Sequence, residues 1–288
     1  METKELLKKV RKIEIRSKGL SNHLFSGEYH TAFKGRGMSF SEVREYQFGD
    51  DVRTIDWNVT ARLNHPYVKV FEEERELTVM LMVDISQSAL FGTNARFKRD
   101  LITEVSAILS FSAINNNDKV GVIFFSNKVE KFIPPKKGRS HILRIIRELI
   151  ELEPSASGTN LADALRYLNN VMKKKAIVFV LSDFIDRGYE DALSIARRRH
   201  DVAGIHVYDP WEKELPPIGL VRVFDPETKE MRWEDFSNRR TRTQYAKWFE
   251  DNRLYMRSTF LRAGADVVSI ATNEDHILPL LKFFRKRG

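Results

Sequence analysis

Residues 79–93 read VMLMVDISQSALFGT. Asp84, Ser86 and Ser88 set three oxygen donors at every second position, with no basic residue among them. An apolar run that closes on a carboxylate delivers that acid to the end of a buried strand. If the chain turns sharply there, both hydroxyls point into the same crevice as the acid. One carboxylate and two hydroxyls are hard donors, suited to Mg²⁺ or Mn²⁺ and poorly suited to zinc. Two other stretches offer donors of the same kind. SGTNLADAL places Thr159 in a loop before a helix, and FVLSDF places Asp183 at the end of another strand. Asp84, Ser86, Ser88, Thr159 and Asp183 are therefore the candidate metal ligands. A strand-end Asp followed by Ser also caps helices and turns, so the short motif alone is weak. Thr159 and Asp183, at the expected topological positions in two other loops, are what favour a cation. A coordination position left open could then accept a carboxylate from another protein, so that the metal bridges the two.

These donors need a scaffold that brings strand ends together. Residues 77–288 alternate strand and helix patterns, as expected of a parallel sheet covered on both faces. The expected strands are 77–84, 119–125, 174–183, 201–209 and 266–272, with 128–135 as an antiparallel partner of the second. The expected helices are 97–114, 141–152, 160–174, 189–199, 239–262 and 276–287. In an open sheet of this kind, ligands bind beyond the carboxyl ends of the strands where strand order reverses. The fold class is thus α/β, a doubly wound, mostly parallel, Rossmann-like sheet. Residues 219–236 read as a β-hairpin insertion around Pro-Glu-Thr-Lys, expected at the sheet edge. Residues 1–76 differ: a charged helix, short strand-like pieces punctuated by Gly27, Gly35, Gly37 and Gly49, and a hairpin formed by IDWNVTAR and YVKVFEEE. This α+β extension is too short and charged to hold a large core alone, and is expected to pack on the domain at 77–288.

Composition narrows the function. The 288 residues contain no cysteine, which removes disulfides, thiolate catalysis and Cys-ligated zinc. The N-terminal stretch is charged throughout, with no apolar core of a secretory signal. No run reaches the roughly 18 apolar residues of a membrane-spanning helix. The expectation is a cytoplasmic protein without a transmembrane segment. The net charge of +8 is spread along the chain rather than clustered, so nucleic acid is not an expected partner. KKK at 173–175 and RRR at 197–199 fit solvated helix C-termini favoured by the helix dipole. Oligomeric state cannot be read from these features.

DISQS, SGTN and LSD together resemble the metal-ion-dependent adhesion site of von Willebrand factor A domains. The resemblance implies a doubly wound sheet and Mg²⁺, with Ser86, Ser88 and Thr159 as near-direct ligands and Asp84 and Asp183 often acting through water. Residues 35–88, with REYQFGDD, IDWNVTAR and FEEERE, are similar throughout to a bacterial family called domain of unknown function 58. Members of that family carry a von Willebrand A-like domain and often sit beside MoxR-type AAA+ ATPases. The resemblance implies a non-enzymatic, metal-dependent protein-interaction module, an adaptor or partner of such an ATPase or its client. Within this segment Arg44, Glu45, Asp50, Asp51, Arg53, Asp56 and Arg62 crowd around Trp57. They are expected to form an ion-pair network fastening the segment to the core, or a docking surface for the ATPase.

The alternative is a metal-dependent phosphohydrolase using Asp84 as nucleophile. Haloacid-dehalogenase phosphatases begin the same way but need an acid two residues on, where this chain has Ser86. There is no G-x-x-x-x-G-K-[ST] loop, no G-x-S-x-G elbow and no H-E-x-x-H. GRG at 35–37 lacks the third glycine of a dinucleotide site.

Overall fold

The computed structural model describes residues 10–14, 17, 38–73, 76–90, 92, 97–155, 158–224 and 231–287. Ten strands are described. They are β1 (Met38–Glu45), β2 (Tyr67–Glu73), β3 (Thr78–Asp84), β4 (Lys119–Phe125), β5 (Val129–Lys136), β6 (Ile177–Ser182), β7 (Asp201–Tyr208), β8 (Leu220–Phe224), β9 (Met231–Asp235) and β10 (Asp266–Ala271). The α-helices are α1 (Trp57–Leu63), α2 (Lys98–Asn115), α3 (Arg139–Glu151), α4 (Leu161–Val171), α5 (Glu190–Arg199), the short α6 (Pro210–Lys213), α7 (Arg239–Ala263) and α8 (Ile277–Arg287).

Six strands form one sheet in the order β10-β7-β6-β3-β4-β5. All neighbours are parallel except β4 and β5, as the short link between those two requires. The chain places β4 and β5 on one side of β3, then returns to place β6 and β7 on the other. Strand order therefore reverses between β3 and β6. The fold class is the expected one.

Residue alternation explains the layers. Val79, Leu81 and Val83 face a core completed by α2, α3 and α8, while Met80 and Met82 face a second core with α4, α5 and α7. Every one of these strand residues is essentially inaccessible. Burying a side chain of this size contributes about 1.5–3 kcal/mol, so strand register is strongly set. On β7, Gly204 lets α7 approach: a Cβ there would lie 2.7 Å from the Phe260 ring. The helical stretch Val10–Glu14 sends Val10 into the first core, and Glu14 pairs with Arg139.

Three expectations are corrected. IDWNVTAR is not a strand: Trp57–Leu63 is helical, because the Asp56 side chain accepts the Asn58 and Val59 N–H groups and Asn64 closes the helix in the left-handed region. The strand YVKVFEE pairs instead with β1, and only Ile55 keeps a single bridge to Val68. The hairpin β8–β9 is a separate two-stranded sheet, with no ladder to the six-stranded one. Charges of the signature segment pair with one another and are partly exposed: Arg44 forks onto Asp50 with both bonds at 2.7 Å, and Lys69 meets Asp56 at 3.4 Å. Neither of these pairs joins the segment to the core. Gly27, Gly35, Gly37 and the Pro-Glu-Thr-Lys turn lie outside the described residues.

Candidate functional site

β3 and β6 are parallel neighbours, so their carboxyl ends lie side by side. β3 ends on Asp84 and β6 runs through Ser182 into Asp183. The backbone turns immediately after Asp84, whose Oδ1 accepts the Ser86 N–H at 2.9 Å. That turn brings the Ser86 and Ser88 hydroxyls within 3.0 Å of each other. From the next strand, the Ser182 hydroxyl donates to Asp84 Oδ2 at 2.6 Å. Asp84, Ser86 and Asp183 are buried.

Two carboxylates this close and this dry disfavour one another's charge. Burial, reinforced by the repulsion of Asp183, raises Asp84 to about 6, against the bonds from Ser182 and Ser86. Burial also pushes Asp183 upward, but the charge and hydrogen bond of Lys98, with help from the Ser88 hydroxyl, hold it below the ordinary carboxylate value. The Ser88 bond ties the β6 end to the β3 turn.

Thr159 reaches the same edge by a different route. It sits in the loop Gly158–Asn160, whose Asn160 N–H donates to the Ser126 carbonyl just beyond β4. The Leu161 N–H donates to Asp186, three residues past Asp183. Of the five candidate residues, direct bonds unite Asp84, Ser86, Ser88 and Asp183; Thr159 lies in a loop at the same sheet edge, and its neighbours bond Ser126 and Asp186 rather than these four.

The site contains residues not anticipated from sequence. Lys98, the first residue of α2, is 1% exposed and donates to Asp183 at 2.8 Å and to Glu212 at 2.6 Å. Glu212 belongs to α6, where it completes a capping box with Asp209 at the end of β7. Burial lowers Lys98 in principle, but the two carboxylates outweigh it and keep the ammonium charged. Nearby His206 is held neutral by burial, its pKa pushed down to about 4. Lys98 was legible only as a cation on the same helix face as Leu101 and Val105, at i+3 and i+7, where a side chain is expected to be apolar. The D-P-W-E spacing announced the cap but not its buried partner.

Among the described residues, no group of three or more His, Cys, Asp or Glu is arranged to hold a metal. Any cation here must use the serine hydroxyls. The arrangement fits that use: ligands in an octahedral Mg²⁺ shell lie at about 2.0–2.1 Å, which sets neighbouring oxygens about 3 Å apart. That is the Ser86–Ser88 separation. The mutual repulsion of Asp84 and Asp183 is the electrostatic complement of a dication.

Comparison with known proteins agrees with the fold. Over 285 residues the chain is 30% identical to the uncharacterized protein Rv1480 of Mycobacterium tuberculosis, covering 97% of this chain and 89% of the relative. The uncharacterized protein Mb1516 of Mycobacterium bovis matches equally. Among solved structures, an aerotolerance-related membrane protein from Bacteroides fragilis superposes with a TM-score of 0.50 at 17% identity, over 73% of this chain and 98% of that one. The SpRpn10 VWA domain is similar over 74% of this chain and 95% of its own, at 12% identity and a TM-score of 0.38. No helix among the described residues is long and apolar enough to cross a membrane. The family model described as "Protein of unknown function DUF58" matches residues 42–255, and the chain belongs to that family.

Proposed function

We propose that this protein is a cytoplasmic, non-enzymatic interaction module that grips a partner's carboxylate through a divalent cation, Mg²⁺ or Mn²⁺. Asp84, Ser86, Ser88, Thr159 and Asp183 hold the ion; Ser86 and Ser88 supply neutral oxygens, and the two carboxylates supply charge. The cation would contribute Lewis acidity toward an incoming carboxylate and neutralise the acids beneath it. The single observation that carries this reading is the convergence of Asp84, Ser86, Ser88 and Asp183 at the β3/β6 strand-order reversal, with the serine oxygens 3.0 Å apart. By family resemblance the partner is a MoxR-type AAA+ ATPase or its client.

The test is retention of that ATPase from native cytosol on the immobilised protein. Retention in Mg²⁺, loss in EDTA and loss with Asp84→Ala is the expected result. Retention indifferent to EDTA overturns the metal-bridged mode. Turnover of a generic phosphoester that disappears with Asp84→Ala would instead make the chain a phosphohydrolase.

A further inference from the structure

Lys98 is the unusual member of this site. A buried ammonium is costly unless it is paired and hydrogen-bonded. Here it is held between Asp183 on the β6 end and Glu212 on α6, at 2.8 and 2.6 Å. One of its carboxylates is thus also a candidate metal ligand, so a protein cation and an external one share the same acid. We propose that Lys98 is a built-in cation that sets the affinity of the β3/β6 site for divalent ions, with Glu212 as its counterweight; this rests on the metal-binding reading above.

The reasoning is a charge count. With all groups ionised, Asp84, Asp183 and Glu212 carry three negative charges and Lys98 one positive, leaving two, which a dication balances. Removing the Lys98 charge leaves three and strengthens the pull on a dication. Neutralising Glu212 leaves one and weakens it. Removing both returns the count to two. Asp209, beside Glu212, is unchanged throughout. A purely structural role for Lys98 predicts no such ladder, because damage to the site weakens binding in every variant.

The experiment is calorimetric titration of the full chain with MgCl₂ and MnCl₂ at pH 8, paired with thermal shift. It compares the wild type with Lys98→Met, Glu212→Gln and the double variant. Lys98→Met should bind at least about tenfold more tightly, and Glu212→Gln about tenfold more weakly, as expected for one unit charge in a partly desolvated site. The double variant should return to within about threefold of wild type. Binding by Lys98→Met where the wild type shows none also supports the proposal. If Lys98→Met cannot fold without metal, the order wild type, double variant, Glu212→Gln still decides. Wild-type binding that is unchanged or weakened by Lys98→Met overturns the role of Lys98 and leaves the metal site standing. No binding by any of the four proteins overturns the metal site itself.

Discussion

The β3/β6 crevice and the signature segment at 44–69 are both dense in charge, yet they solve different problems. In the crevice, Asp84, Asp183, Lys98 and Glu212 are each exposed by less than a tenth, and their partners come from four separate elements. In the signature segment the pairs are local, Arg44 to Asp50 and Lys69 to Asp56, and partly exposed. Phe48 and Trp57, 104% and 70% exposed, stand beside them. Exposed ion pairs add little to stability, whereas one half of a buried pair cannot be removed cheaply. Charge density alone therefore says nothing about what a region holds together; desolvation and the sequence distance between partners do.

The largest effect that sharpens this contrast is Asp183→Ala. It strips Lys98 of the Asp183 anion, and an unfolding penalty of about 3–5 kcal/mol is expected in urea titration. A penalty below about 1 kcal/mol would mean the crevice is no drier than the surface.

Acid should be the next most disruptive change. His200 and His206 are kept neutral by burial, each down to about 4, while an unfolded histidine titrates near 6.5. Between those values the unfolded chain binds more protons, so stability falls as pH drops from about 6.5 to about 4. Asp84 works in the opposite sense. Its pKa is raised to about 6, so between about 6 and 3.8 the folded state is the one that takes the proton, and acid there favours folding. His141, also lowered by burial, adds to the loss, while Asp186 and Glu212, raised by burial, act with Asp84; a net loss is expected, read as a lower urea midpoint at pH 5 than at pH 7. His200→Gln should flatten that slope. The signature segment responds only further down. Asp50, lowered by its bond from Arg44, and Asp56, lowered by the Val59 N–H, lose their contribution as pH falls below about 3.8.

A smaller effect on folding is expected for Asp84→Asn. The amide keeps an acceptor for the Ser86 N–H and sheds the cost of a buried charge, so the urea midpoint should stay within about 1 kcal/mol of wild type. The thermal shift produced by Mg²⁺ should vanish in the same variant. An intact shift would remove Asp84 from the cation site.

The smallest change in stability is expected for Arg44→Ala and Trp57→Ala. Both should leave the urea midpoint where it is, because the ion pair is solvated and the ring is largely exposed. A marked fall with Arg44→Ala would show that the segment is fastened by charge after all. Lost retention of the ATPase with unchanged stability would instead make the segment a docking surface.

Much of the scaffold was legible because its strands are apolar on both faces and stop at acids. TVMLMVD and IVFVLSD needed no partner to be recognised, since continuous apolar runs suit only a strand buried on both sides. The helix at Trp57–Leu63 was missed because IDWNVTAR mixes β-branched and polar residues. The deciding signal was the cap, Asp56 before and Asn64 after, rather than periodicity. The hairpin at 220–235 was readable from its turn, but its detachment from the main sheet was not, because no local pattern encodes which edge a strand avoids.

By itself, the sequence determined which residues end strands, which oxygen donors follow them, and that those donors are serines and acids rather than cysteines and histidines. These are properties of neighbouring residues and of composition. Only the tertiary structure decided that β6 lies against β3, that Ser182 therefore bonds Asp84, and that Lys98 joins Asp183 to Glu212 across 85 and 114 positions of chain. The physical reason is that a buried charge is satisfied by whatever the fold carries to it, and the partner's distance along the chain leaves no trace in local pattern.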